Sequence, residues 1–121
     1  DSSPVFIVHS ADDELVDARS FIRNEDPPTC ILFPDDYSFM GGYQVLADAG
    51  LTIPEDISAM GYDGINLAQM MRLATYSQNA DGIGRTAVEK LIEIIEHPGR
   101  TEAEHILVHG ELLPGTTVKQ L

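Results

Sequence analysis

Hydrophobic and polar positions alternate along this chain in blocks that read as strand and helix in turn. Val5 to Val8 is a short apolar run bounded by polar residues, which predicts a buried strand. Ser10 then offers a helix cap, with Asp13 three residues on as its capping-box partner, and Leu15, Val16, Ala18, Phe21 and Ile22 recur at helical spacing until Asn24. Pro27-Pro28 stops that helix. Thr29 to Phe33 predicts a second buried strand. Asp35, Asp36 and Ser38 open a second helix with apolar positions at Phe39, Met40, Tyr43, Val45, Leu46 and Ala49, and Gly50 supplies a left-handed C-cap.

The alternation continues to the end. Ile57 to Met60 predicts a third strand, Asn66 to Met71 a short helix or turn, and about Asp81 to Glu96 a third helix ended by Pro98-Gly99. Ile106 to Val108 and Glu111 to Leu113 read as short terminal strands. A β-α-β-α-β order implies parallel strands joined by right-handed crossovers. The expected fold is therefore an α/β open, mostly parallel sheet flanked by helices.

Composition narrows the function classes. At 121 residues, 43% of them hydrophobic, the chain is one domain at most and has enough apolar side chain for a core. Its 20 acids against 7 bases give a net charge of −13. That field repels phosphate, so this piece alone is not expected to bind nucleic acid or an anionic membrane. No apolar run reaches membrane-span length, and no cationic start leads into an apolar signal region. The chain opens on Asp1-Ser2-Ser3 without a Met, which suits a cut-out fragment. Cys30, the one cysteine, cannot form an internal disulfide and is expected as a buried thiol, consistent with a cytoplasmic protein.

Candidate chemistry concentrates at strand ends. Pro54-Glu55-Asp56-Ile57-Ser58-Ala59-Met60-Gly61-Tyr62-Asp63-Gly64 delivers Asp63 at the C-terminal end of a strand, the edge where open α/β sheets bind ligands. This stretch resembles the "VP-E-D-I-S-V-V-G-F/Y-D-D" segment of the lactose-repressor (LacI/GalR) family of sugar-responsive transcription regulators. Pro28-Thr29-Cys30-Ile31-Leu32-Phe33-Pro34-Asp35-Asp36 resembles that family's "P-T-A-I-F-A-x-N-D". Gly41, Leu46, Ala49 and Gly50 fall where it has "G-A…L…A-G", and Leu73-Ala74-Thr75-Tyr76-Ser77-Gln78 is similar to "L-T-T-V-x-Q". Gly84, Ala87, Val88, Leu91 and Ile92 follow "G…A-V…L-L".

The resemblance implies one lobe of a periplasmic-binding-protein-like type I fold: residues 1–121 as a truncated C-terminal lobe, with 79–97 a crossover helix belonging to a missing N-terminal lobe. It implies effector binding by Asp63, Asp35 and Gln78, the effector being a small sugar or purine nucleoside in the intact protein. Asp35 stands where the family has Asn, Gly64 where it has a second Asp, and Arg72 where it has Pro. The residues themselves leave Asp35 and Asp36 open to a second reading as helix caps, and Asp63 as a turn former. The resemblance further implies a homodimer through Ser38–Asp48 and Asn66–Leu73, with Phe39, Tyr43, Leu67, Met70 and Met71 exposed at the contact. DNA would be bound only through an absent N-terminal domain. The helix from Asp81 to Glu96 carries a wide apolar stripe, and is expected to dock on an uncovered sheet face or to exchange into a neighbouring chain.

Other motifs carry less. Asp12, Asp13 and Glu14 suit an acidic first helical turn better than a metal site. His105 and His109, four apart on an expected strand, are too far apart to share a zinc ion. Gly82-Ile83-Gly84-Arg85-Thr86-Ala87 matches G-x-G-x-x-A but lacks a convincing preceding strand and a following acid. No nucleophile-base set, metal or cofactor is implied, so a non-catalytic binding module is expected. The alternative of another class is a receiver-like phosphoacceptor domain, with Asp63 as the phosphorylated acid. It wants a Lys at the end of the last strand, whereas Lys90 lies mid-helix and Lys119 in the tail.

Overall fold

The computed structural model describes residues 27–99 and 103–119. The predicted strand Val5–Val8, the helix after it and the Asp12, Asp13, Glu14 cluster lie outside the described residues. Within them, the elements are β1 (Cys30–Leu32), α1 (Asp36–Asp48), β2 (Ser58–Asp63), α2 (Asn66–Met70), β3 (Ala74–Ser77), α3 (Ala80–Glu96) and β4 (Glu111–Leu113). The sheet order is β1-β2-β3-β4. The first three strands are parallel, with Leu32 opposite Met60 and Asp63 opposite Ser77, and β4 runs antiparallel to β3 with Thr75 opposite Leu113.

Capping chemistry sets both ends of α1. Asp35, in extended backbone, accepts from Ser38 N at 2.6 Å and from Ser38 Oγ at 2.9 Å. At the other end Gly50 takes φ 80°, its amide donates to Ala47 O at 2.9 Å, and Leu51 N donates to Leu46 O at 3.0 Å. This pair of bonds is the Schellman arrangement that needs a residue free of Cβ at the left-handed position. Between the caps, Asp36, Phe39, Gly42 and Leu46 face the sheet. They pack with Ile31, Phe33, Ile57, Ala59, Ala68 and Leu73 into the core.

That packing corrects part of the expected dimer surface. Phe39 is 1% exposed, set edge-on against Phe33 with ring centroids 5.5 Å apart. It follows Asp36 by three residues, so it shares the inward face of α1 and cannot present its ring outward. Leu67 and Met71 are half-buried, Met71 against the core, while Tyr43 and Met70 are exposed as expected. Cys30 is also a correction. β1 alternates, only Ile31 points into the core, and Cys30 is exposed on the strand's other side. Enough protein surrounds its thiol to push the pKa above its ordinary value by desolvation.

Among the described residues the helices α1 and α2 leave one sheet face uncovered. Leu32, Tyr62 and Leu112 are exposed, and the Tyr62 and Tyr76 rings stack on neighbouring strands with centroids 5.7 Å apart. β3 is an element that the run of sequence periods did not predict as a strand. Conversely, no strand forms over 106–108. After β4 the chain returns beneath the sheet. Thr117 Oγ1 donates to Ala59 O at 2.7 Å and accepts from Ala74 N at 2.9 Å, wedging the tail between the starts of β2 and β3.

The helix α3 forms where predicted but buries none of its residues. Ile83, Val88, Leu91, Ile92, Ile94 and Ile95 are all exposed, so the expected docking onto the uncovered sheet face does not occur within the chain. Its tethers are at its start and middle: Lys90 Nζ lies 2.8 Å from Glu93 and 2.7 Å from Glu104.

Candidate functional site

Three parallel strands end at one edge, and the chemistry-bearing residues follow from where each stops. Asp35 comes after β1, Asp63 is the last residue of the central β2, and Gln78 comes directly after β3. Gln78 Nε2 donates to Asp63 Oδ1. Asp63 has φ 112° and Gly64 φ 73°, so the strand ends in two successive residues of left-handed sign. The first is strained for a residue with a Cβ. The second has to be glycine for space as well, since a methyl on Gly64 would lie 2.6 Å from Ser77 Cβ and 2.8 Å from Ser77 Cα.

Of the three predicted site residues, Asp63 and Gln78 are brought into contact. Asp35 lies at the same edge, but both its oxygens already serve Ser38. A carboxylate oxygen has a second lone pair, so this cap does not exhaust its acceptor capacity.

The residue sequence reasoning missed is Asp36. It was grouped with Asp35 as a cap, yet its carboxylate turns away from its own helix and is 1% exposed. Its Oδ2 accepts from Gly64 N at 2.9 Å and Ile65 N at 3.0 Å, and its Oδ1 accepts from Thr75 Oγ1 at 2.7 Å. A methyl on Gly61 would run into Asp36 Oδ1. A glycine inside a strand flags a close approach of this kind, and it was the available signal.

A second feature borders the edge. Asn79, left-handed at φ 58°, caps α3 by accepting from Gly82 N at 3.0 Å and donates Nδ2 to His109 O at 3.2 Å. It thereby ties the segment leaving the sheet to the one returning. The G-x-G-x-x-A match does have a strand before it, contrary to expectation, because β3 ends at Ser77; the Gly82 amide is spent on Asn79. His105 and His109 are exposed and not on a strand. Among the described residues no group of three or more His, Cys, Asp or Glu is placed to hold a metal ion.

The parallel sheet that carries Asp63 and Gln78 at its C-terminal edge has counterparts among known proteins. The periplasmic binding protein-like domain family matches residues 5–118. The chain is 35% identical over 101 residues to the ribose operon repressor of Haemophilus influenzae, covering 79% of this chain and 30% of that protein. It is 34% identical over 112 residues to the transcriptional repressor PurR of Vibrio atlanticus, covering 91% of this chain and 33% of that protein. The chain belongs to the periplasmic binding protein-like family, in its LacI/GalR branch. A LacI family regulator from Enterococcus faecalis V583, solved with bound ribose, superposes with a TM-score of 0.76 at 28% identity. That match covers 86% of this chain and 39% of the other. The chain thus spans about a third of the length of these two repressors, at 30% and 33%. Nothing in these LacI/GalR matches supports the receiver-like alternative.

Proposed function

We propose that this chain is the C-terminal lobe of the effector-sensing domain of a LacI-type regulator, holding half of a cleft for a small polyhydroxy effector. The observation that carries the reading is the Asp63–Gln78 pair at the end of the central strands. Asp63 accepts hydrogen bonds from adjacent hydroxyls of a sugar or of a nucleoside ribose. Gln78 orients it and offers its own amide, and the spare lone pairs of Asp35 face the same edge. No step of bond chemistry is involved, so the module is a binder rather than an enzyme.

In the intact protein this lobe pairs with a second lobe over the effector, in the cytoplasm, and DNA is bound by a separate domain. Residues 79–97 are the crossover helix that belongs with the second lobe. Two copies pair through α1 and the α2 region, where Tyr43 and Met70 are exposed. Among the described residues no helix is long and apolar enough to cross a membrane.

Half a cleft buries only part of a ligand, so affinity is weak here. Titrating labelled chain with millimolar ribose and following the Asp63 and Gln78 signals by NMR tests the reading. Saturable shifts confined to this edge, lost in Asp63→Asn, are expected. Shifts elsewhere, or none with any sugar or nucleoside tried, would overturn it.

A further inference from the structure

We propose that Asp36 is the positioning residue for Asp63: its buried carboxylate grips the two amides after Asp63 and holds that residue aimed over the sheet edge. The inference rests on the reading of Asp63 as an effector contact, and deepens it.

Five observations carry it. The N-cap of α1 is already filled by Asp35 with Ser38, so capping its own helix is not the task of Asp36. Its Oδ2 takes the amides of Gly64 and Ile65, the two residues that immediately follow the strained Asp63. Two bonds from one oxygen fix the peptide plane on the far side of Gly64, and with it the direction in which β2 must turn. Its Oδ1 takes Thr75 Oγ1 at 2.7 Å, three residues before Gln78, the side chain bonded to Asp63. One carboxylate thus fixes both the turn that carries Asp63 and the strand that carries its partner. Gly61 leaves the space the carboxylate occupies. Among the described residues the ion pairs are those of Lys90, so no cation competes for Asp36.

Asparagine can keep most of this arrangement. Its carbonyl accepts the two amides, while its NH₂ donates to Thr75 Oγ1, which turns to accept. Alanine can keep none of it. The test follows the Gln78 side-chain NH₂ signals, whose shift and slow exchange report the bond to Asp63, in the full chain and in Asp36→Ala and Asp36→Asn. Asp36→Ala is expected to lose the Gln78 signature while core amides such as Leu46 stay dispersed. Asp36→Asn is expected to retain it. A folded Asp36→Ala with the Gln78 signature intact overturns the proposal, because a merely structural role would change stability and leave that signal in place. Should Asp36→Ala not fold, exchange in the unsubstituted chain decides: Gly64 and Ile65 amides exchanging as fast as exposed loop amides also overturn it.

The ligand arm is read separately. Ribose should bind Asp36→Ala more weakly, on the order of tenfold, approaching Asp63→Asn, and bind Asp36→Asn nearly as the parent does. If ribose produces no shift in the parent chain, the effector reading fails, and the Gln78 signal still decides the role of Asp36.

Discussion

Thr75 Oγ1 and Asp36 Oδ1 lie 2.7 Å apart across 39 positions of sequence, both side chains fully buried. The hydroxyl is a donor to a carboxylate in a place that water does not reach, where hydrogen bonds to charged groups are stronger than neutral ones. Thr75→Val keeps the shape and removes the donor. It is expected to cost about 1.5–3 kcal/mol in urea unfolding. The turn amides of Gly64 and Ile65 stay on Oδ2, so the Gln78–Asp63 bond should survive. A cost near zero would mean that water or another donor replaces Thr75.

The tail holds the starts of two strands by threading very close to their backbone. A methyl on Gly115 would lie 2.5 Å from the Leu73 carbonyl carbon and would also run into Arg72 O and Ala74 N. All three are main-chain atoms that cannot rotate away. Thr116 N donates to Arg72 O at 2.7 Å at the same spot, so the tail cannot back off without losing that bond. Gly115→Ala should therefore cost at least about 2 kcal/mol, at the upper end of overpacking effects, measured by the denaturation midpoint. A neutral outcome would show the tail to be detachable.

How much was legible in the sequence can be traced residue by residue. The caps of α1 were readable because Asp35 and Gly50 act through neighbours only a few positions away. Asp63 was readable because its position follows from where a strand stops. β3 was not, because Ala74–Ser77 is four residues of mixed polarity that become a strand only through partners on both sides. Phe39 was assigned to the wrong face because α1 carries apolar residues on more than one side, and the choice depends on Phe33, outside the helix. Asp36 was missed because its partners lie 28 to 39 residues away, a distance over which no local pattern reports.

Self-association should depend on Met70. At 81% exposure it is the most open apolar side chain of α2, and Tyr43 on α1 is also exposed, its ring centroid 5.9 Å from that of Phe39. Exposed apolar patches of this kind mark contact surfaces. Sedimentation at high micromolar protein is expected to give a dimer, and Met70→Asp to reduce the mass toward that of one chain. An unchanged mass would exclude this face.

The Lys90 tether to Glu93 and Glu104 predicts a pH window. The hydrogen bonds that Lys90 donates to Glu104 and then to Glu93 hold its pKa above its ordinary value, and the bond from Lys90 holds Glu93 below its own. A raised lysine stabilises fully below its unfolded value and loses that effect as pH rises through the folded one. A depressed carboxylate stabilises above its unfolded value and loses it as pH falls through the folded one. Both terms are in force at neutral pH. All three groups face solvent, so salt screens them and global stability should barely respond. The expected effect is local: Glu104→Gln, or high salt, should speed amide exchange over 104–108 and leave β2 unaffected. Unchanged exchange would mean that other contacts hold this segment.

The last prediction concerns the independence of α3. Seventeen residues of helix with nothing buried lack the tertiary packing that stabilises most helices in water. Among the described residues its polar tethers are the Asn79 cap at one end and the Lys90 pairs midway along. Amides over 84–95 should therefore exchange far faster than those of β2, by local opening rather than global unfolding. The same reasoning separates two substitutions of similar chemistry. Leu46, 1% exposed in the core, should cost about 2–5 kcal/mol as Leu46→Ala. Leu91 and Ile95, at 56% and 68% exposure, should cost no more than about 0.5 kcal/mol each in the stability of the sheet when changed to Glu. The glutamates also remove the stripe's tendency to associate, so they should raise solubility. If Leu91→Glu with Ile95→Glu instead lowered the unfolding midpoint as much as Leu46→Ala, the stripe would be covered in solution. Exchange of α3 into a neighbouring chain would then be the arrangement to look for.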